Sequence, residues 1–180
     1  MKIIVAFKSK SGYTRKYAEM IAEELSADIY DASNITLENL KNYDVIIYGG
    51  GLYAGGINGI KLIKNNLDEL KDKKIVVFAV GATPGRKDEI KHIIDTNFTE
   101  SECEKFKFLY LRGGFDFSKL GLIDKILMLM LKIKLKSKKN LSLDEKGMLE
   151  AYSTSVDFTR RKNIEELISF VNNNLNHNKF

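Results

Sequence analysis

Short apolar runs rich in β-branched residues recur along this chain, each separated from the next by a segment long enough for a crossover helix. Ile3–Phe7, Asp44–Tyr48, Lys74–Val80 and Phe106–Leu111 are the clear ones, and Ala27–Tyr30, ending at Asp31, is a weaker fifth. Nearly uninterrupted apolar runs suit parallel strands covered on both faces, and parallel neighbours require a crossover. Between the runs, Tyr17, Ala18, Ile21, Ala22 and Leu25 recur at helical spacing, as do Ile60, Ile63, Leu67 and Leu70, and then Ile90, Ile93 and Ile94 between Lys87 and Phe98. Thr36–Leu40 is a candidate short helix. This alternation predicts an α/β fold, a doubly wound five-stranded parallel sheet of order 2-1-3-4-5.

In that order the carboxyl ends of the first and third strands flank the point where ligands settle in open sheets. The loops after strands one, three and four are rich in glycine or hydroxyls, so they are expected to converge on one crevice. After strand one comes Ser9-Lys10-Ser11-Gly12-Tyr13-Thr14, three hydroxyls and a glycine leading into a helix. The unpaired N–H groups of a first helical turn and the positive end of its dipole favour an anion, and hydroxyls add donors. A phosphate monoester fits better than a magnesium-bound triphosphate, because the G-x-x-x-x-G-K-[ST] loop is absent.

Other site types are set aside by what stands in their places. Gly49-Gly50-Gly51-Leu52-Tyr53-Ala54 matches G-x-G-x-x-A in form, but it follows the third strand, runs on into Gly55-Gly56, and has no acid at the end of the next strand for a ribose. A glycine-rich loop that lets a flat ligand approach the backbone explains it better. A phosphorelay receiver would need acids after strand one and an aspartate ending strand three, where Lys8, Ser9 and Gly49 stand. His92, on a helix, and His177, in the tail, offer neither a metal cluster nor a triad.

A chain of 180 residues with one proline, Pro84, is expected to be one globular domain. The lone Cys103 excludes an internal disulfide and fits a reducing cytoplasm, and MKIIVAFKSK enters a strand with no signal-peptide pattern, so a cytoplasmic protein is expected. The net charge of +5 raises the question of nucleic acid, but no RNA-binding aromatic signature or zinc-finger spacing accompanies it.

From Phe115 to about Tyr152 the alternation breaks, and a helical insert is expected there. Leu120, Ile123, Ile126, Leu127, Met130, Leu131 and Ile133 give a helix with a wide apolar face, with Lys125, Lys132, Lys136 and Lys139 on an opposite stripe. Its longest apolar run is too short to cross a membrane. The last helix carries Ile164, Leu167, Ile168 and Val171, with Asp157 or Thr159 as its expected cap, and the tail from Asn172 reads as frayed.

A phosphate cradle beside two loops able to hold a flat aromatic ring is the layout of a flavin mononucleotide (FMN) site, and Ser9–Thr14 resembles the flavodoxin phosphate loop, [ST]-x-[ST]-G-x-T. The resemblance extends over nearly the whole chain. It implies that Ser9, Ser11 and Thr14 offer hydroxyls to the phosphate, that Lys10, Gly12 and Tyr13 offer backbone N–H groups, and that Leu52, Tyr53 and Ala54, with Gly81, Ala82, Thr83, Pro84 and Gly85, flank the ring. Tyr53 is the candidate for stacking, and backbone groups of Gly51 to Gly55 are the candidates for tuning the potential. No acid–base residue and no metal ligand is assigned. The basic charge, the insert and Asp157-Phe158-Thr159 look more like the flavodoxin-domain branch that contains bacterial menaquinone-dependent protoporphyrinogen oxidase.

The expectation is an FMN-binding flavodoxin-like redox protein that transfers electrons to or from a redox partner protein or quinone, with FMN-dependent oxidoreductase activity left open. One alternative is a quinone-linked oxidase of protoporphyrinogen or a similar hydrophobic substrate, peripheral at the inner membrane face through Leu120 to Lys139. An apolar face alone does not distinguish lipid from protein, so a homodimer or partner surface competes for that helix. The other alternative is a non-redox binding module that has lost flavin.

Overall fold

The computed structural model describes residues 1–119, 121–138, 140, 141, 145–147, 149 and 154–176. Leu120, Lys139, Tyr152 and His177, singled out from the sequence, lie outside them. Two compact units are present, one formed by Met1–Gly113 with Thr159–Phe180 and the other by Gly114–Phe158.

The first unit is built on a parallel sheet of β1 (Ile3–Lys8), β2 (Asp28–Asp31), β3 (Val45–Tyr53), β5 (Lys74–Gly81) and β6 (Lys107–Arg112), in the order β2-β1-β3-β5-β6. A two-residue strand, β4 (Gly56–Ile57), pairs antiparallel with the end of β3. Counting only the parallel strands, this is the expected 2-1-3-4-5 order. Successive residues of a strand point to opposite faces, so each long strand contributes to two cores. Val5, Phe7, Ile47, Val76 and Phe78 pack with Tyr17 and Ile21 of α1 (Tyr13–Leu25) and Leu167 and Val171 of the last helix. Ile4, Ala6, Ile46, Tyr48, Val77 and Ala79 pack on the other side with Leu40 of α2 (Leu37–Lys41), Ile63 of α3 (Lys61–Lys64) and Ile93 of α4 (Lys87–Asn97).

The structure corrects several sequence expectations. β3 does not stop at its three glycines but runs through them, Gly49 pairing with both Phe7 and Phe78. A side chain there has no room, because a Cβ on Gly49 would fall 2.0 Å from the Phe78 ring. The run Ile60–Leu70 is helical only over α3, although all four apolar residues are buried. Asn66 lies just past its end and donates its side-chain amide to the Leu62 carbonyl at 2.8 Å, competing with the helical backbone bonds. A short α5 (Glu100–Cys103) follows α4, capped by a reciprocal Thr99–Glu102 box that the sequence reading passed over. The last helix, α7 (Glu165–Asn176), is entered through a 3₁₀ turn, Arg161–Ile164, whose cap position is Arg160 rather than Asp157 or Thr159. It continues to Asn176, through much of the stretch read as frayed.

In the second unit, β7 (Gly114–Phe115) pairs antiparallel with β8 (Val156–Asp157), closing the segment at its base. The long helix expected there is α6 (Leu122–Lys136). No helix among the described residues is long and apolar enough to cross a membrane.

Candidate cofactor site

The loops after β1, β3 and β5 do meet. β1 delivers Ser9–Gly12 to the start of α1, with Gly12 in the left-handed region (φ 92°) at the helix N-cap. The Ser9 hydroxyl accepts the Gly12 N–H at 3.1 Å, so both groups are used in shaping the loop. Ser11 is half-buried, and Thr14 is almost fully buried in the first turn of α1. Among the described residues, neither the Ser11 nor the Thr14 hydroxyl has a hydrogen-bond partner. Thr14 Oγ1 faces Gly51, where an added Cβ would stand 3.1 Å away with the Asn58 side-chain amide nearby. A side chain at Gly51 would crowd the hydroxyl, so the glycine keeps this corner open.

The stretch Leu52–Gly56, expected as an open loop, is a tight hairpin. Leu52 pairs with Ile57 and Tyr53 with Gly56, leaving Ala54 (φ 48°) and Gly55 (φ 82°) as the turn. Two central residues with positive φ make a type I′ turn, whose twist matches that of the flanking strands. The hairpin is held from behind by Asn97 of α4, a buried residue that sequence reasoning missed. Its Oδ1 accepts the Ile57 N–H at 2.8 Å, and its Nδ2 donates to the Gly55 and Ile93 carbonyls, each at 2.8 Å. Asn58 is fixed too: its N–H donates to Gly51 O at 3.0 Å, and its carbonyl accepts the Tyr48 hydroxyl at 2.6 Å.

The third loop, Gly81–Gly85, is fastened to β6. Tyr110 donates its hydroxyl to Thr83 O at 2.8 Å and lies 3.1 Å from the Thr83 hydroxyl, while Gly113 N–H donates to Gly81 O at 2.7 Å. Burial pushes the Tyr110 phenol above its ordinary pKa, so it stays protonated as a donor. Glu89 accepts the N–H groups of Gly85 and Arg86, both at 2.9 Å, which ties the end of the loop to α4. Ala82, Thr83 and Pro84 remain exposed.

Contacts between loops complete the arrangement. Leu52 lies against Gly81, where an added Cβ would be 3.0 Å from Leu52 Cδ1, and the Lys10 ammonium sits 3.9 Å from the centre of the Tyr53 ring. Beside the first loop, Lys8 pairs with Asp31 at 3.1 Å and also meets the Ser33 hydroxyl. The Ser33 N–H, more than Lys8, holds the Asp31 carboxyl below its usual pKa. The three sequence-derived loops therefore gather at the carboxyl ends of β1, β3 and β5. His92 is exposed on α4 and is not placed among these loops by any contact given for it.

Residues 4–142 match the family model for the flavodoxin domain. The chain belongs to the flavodoxin domain family. This flavodoxin domain is 36% identical over 87 residues to an uncharacterized protein of Methanocaldococcus jannaschii, a match spanning 47% of the chain and 57% of that relative's length. Among solved structures it is similar to a flavoprotein in complex with FMN from Lactobacillus acidophilus, with 21% identity, 62% of this chain and 91% of that one covered, and a TM-score of 0.38. It is also similar to the Trp repressor binding protein of Bacillus subtilis, with 19% identity, 62% and 83% covered, and a TM-score of 0.47. A third is the two-electron reduced flavodoxin of Megasphaera elsdenii, with 15% identity, 60% and 84% covered, and a TM-score of 0.41.

Proposed function

We propose that this flavodoxin domain binds FMN and moves electrons through it. The observation that carries the reading is the Thr14 hydroxyl, unbonded by the described residues, carried on a nearly buried residue in the first turn of α1 and opposite Gly51. A hydroxyl left without a protein partner at a helix N-terminus, and open to an incoming group, suits a ligand acceptor such as a phosphate oxygen. Ser11, Thr14 and the first-turn N–H groups would hold the phosphate, and the Leu52–Gly55 hairpin with Gly81–Gly85 would flank the ring. FMN supplies the redox chemistry, while the protein binds, orients and tunes it. Purified protein mixed with FMN is expected to quench its fluorescence and shift its visible bands. A protein that does neither would leave the non-redox module standing instead.

A second reading is favoured by one feature of α6. Ile126, Leu129, Met130 and Ile133 are exposed at 51%, 45%, 63% and 70%, and they follow one another at helical spacing on a helix that also carries Lys125, Lys132, Lys134 and Lys136. An exposed apolar stripe among lysines suits the surface of an anionic bilayer. Together with Asp157-Phe158-Thr159, it supports a place beside the menaquinone-dependent protoporphyrinogen oxidase branch, with a quinone as acceptor and a hydrophobic substrate. The protein is then expected to sediment with vesicles containing anionic lipid but not with neutral ones, and to lose that binding when Lys125, Lys132 and Lys136 become Glu. Sedimentation indifferent to lipid charge would remove this reading and favour a protein partner for the stripe.

A further inference from the structure

We propose that the side-chain amide of Asn58 is a further ligand of the phosphate, donating to it across Gly51 from the Thr14 hydroxyl. The inference rests on the FMN reading above and adds to it a residue that belongs neither to the phosphate loop nor to the loops that would flank the ring. Asn58 directly follows β4, and its backbone is fixed at both ends: its N–H donates to Gly51 O at 3.0 Å, and its carbonyl accepts the Tyr48 hydroxyl at 2.6 Å. Gly50 permits this close approach, because a Cβ there would stand 2.8 Å from the Asn58 carbonyl oxygen. The side chain is thus carried by a backbone already held against β3, so little backbone order has to be gained when a ligand arrives.

The side chain itself is uncommitted. Among the described residues its amide has no hydrogen-bond partner, in contrast to the backbone groups of the same residue. Asn58 is half-buried, and no side-chain nitrogen or oxygen among the described residues is both fully buried and unbonded, so the amide is open to an incoming group. It stands at the corner that the Thr14 hydroxyl faces. Around the point where a Cβ of Gly51 would lie, Thr14 Oγ1 is the nearest atom at 3.1 Å and Asn58 Nδ2 the next at 3.8 Å. Two side-chain donors from distant parts of the chain therefore meet over a glycine, one on the first turn of α1 and one just past β4. A phosphate monoester has oxygens enough to accept from both, as well as from the first-turn N–H groups. Hydrogen bonds to an ionised acceptor are also roughly twice as strong as neutral ones, which favours the phosphate over a neutral hydroxyl as the group that takes this amide.

The test uses the full chain at neutral pH, the wild type beside Asn58→Ala and Asn58→Asp, with FMN affinity read by fluorescence quenching. Asn58→Ala removes the donors and is expected to weaken FMN binding by about tenfold to a hundredfold, the worth of a hydrogen bond to a charged group. Asn58→Asp keeps the shape but sets a carboxylate against the phosphate, so it should bind about tenfold more weakly still. A residue that only shapes the turn would give the reverse order, the near-isosteric aspartate being the milder change. In the wild type, the Asn58 side-chain N–H signals of an isotope-labelled sample are expected to move in the NMR spectrum when FMN is added, which reads the contact without any substitution. An unchanged FMN affinity in Asn58→Ala, or an Asn58→Asp that binds no more weakly than Asn58→Ala, overturns this inference and leaves the FMN reading intact. Side-chain signals that stay in place while FMN binds overturn it too. Failure of the wild type to bind FMN removes both.

Discussion

Replacing Ser11 and Thr14 together by alanine is expected to weaken FMN binding by about two to four orders of magnitude, read by fluorescence quenching. A hydrogen bond to a charged group contributes about 1.5–3 kcal/mol, so losing two costs about 3–6 kcal/mol, and each 1.4 kcal/mol is tenfold in affinity. The effect should be this large because neither hydroxyl is used by the protein itself among the described residues. Ser9 differs, since its hydroxyl already accepts the Gly12 N–H, and Ser9→Ala should act through loop shape instead. Thermal unfolding of the ligand-free double variant should stay close to the wild type. Thr14→Ser alone keeps the hydroxyl and should retain most of the affinity. A double variant that binds FMN as tightly as the wild type would show that the phosphate is held elsewhere.

The second large effect is one of stability, at Asn97. Asn97→Leu removes the partner of the Ile57 N–H and one partner of the Gly55 carbonyl. Leaving a buried polar group unpaired costs about 1–3 kcal/mol, so the pair should cost about 2–6 kcal/mol, a large part of the roughly 5–15 kcal/mol that holds an ordinary domain folded. Denaturant unfolding measures the loss, and hydrogen exchange at the Ile57 amide locates it. Asn97→Asp sharpens the argument because it keeps the shape. A carboxylate there still accepts from Ile57 but faces the Gly55 and Ile93 carbonyls with no proton to give. Protonation would restore a donor, so the folded-state pKa of the new carboxyl is raised. The protonated form is therefore the better folded one, and the deficit of this variant should shrink as pH falls through that raised pKa. A deficit that is constant with pH would mean that the side chain acts through packing alone. Either variant should also weaken FMN binding, since the Tyr53 hairpin loses its anchor.

The two residues illustrate different relations between sequence and site. Thr14 is visible in the sequence because its partners are local: a strand, a hydroxyl loop and a helix start lie within a dozen residues, and the chemistry of a helix N-terminus is the same wherever it occurs. Asn97 is invisible, because the hairpin groups it satisfies are about 40 positions away and nothing in a helix ending Thr96-Asn97 announces them. Tyr110 is similar, reading as one more apolar strand position until it is seen bonded to Thr83, 27 positions back. Lys10 stands between these cases, since its place in the loop was plain but its rest against Tyr53 was not.

By itself the sequence determined the parallel order of the sheet and the carboxyl end of the strands where the loops gather. These follow from periodicity and from the ligand-binding position of an open parallel sheet, which depend on residue type more than on particular contacts. The tertiary structure alone decided that β3 passes through its glycines, that Leu52–Gly56 is a type I′ hairpin, and that α3 is a single short helix. Each of these turns on a long-range contact or on competition between a side chain and the backbone. The Phe78 ring fills the space over Gly49, Asn97 meets the polar groups of the hairpin, and Asn66 takes a carbonyl from α3. Propensity settles what a segment can be, but close packing and the demand that buried polar groups be paired settle which option is taken.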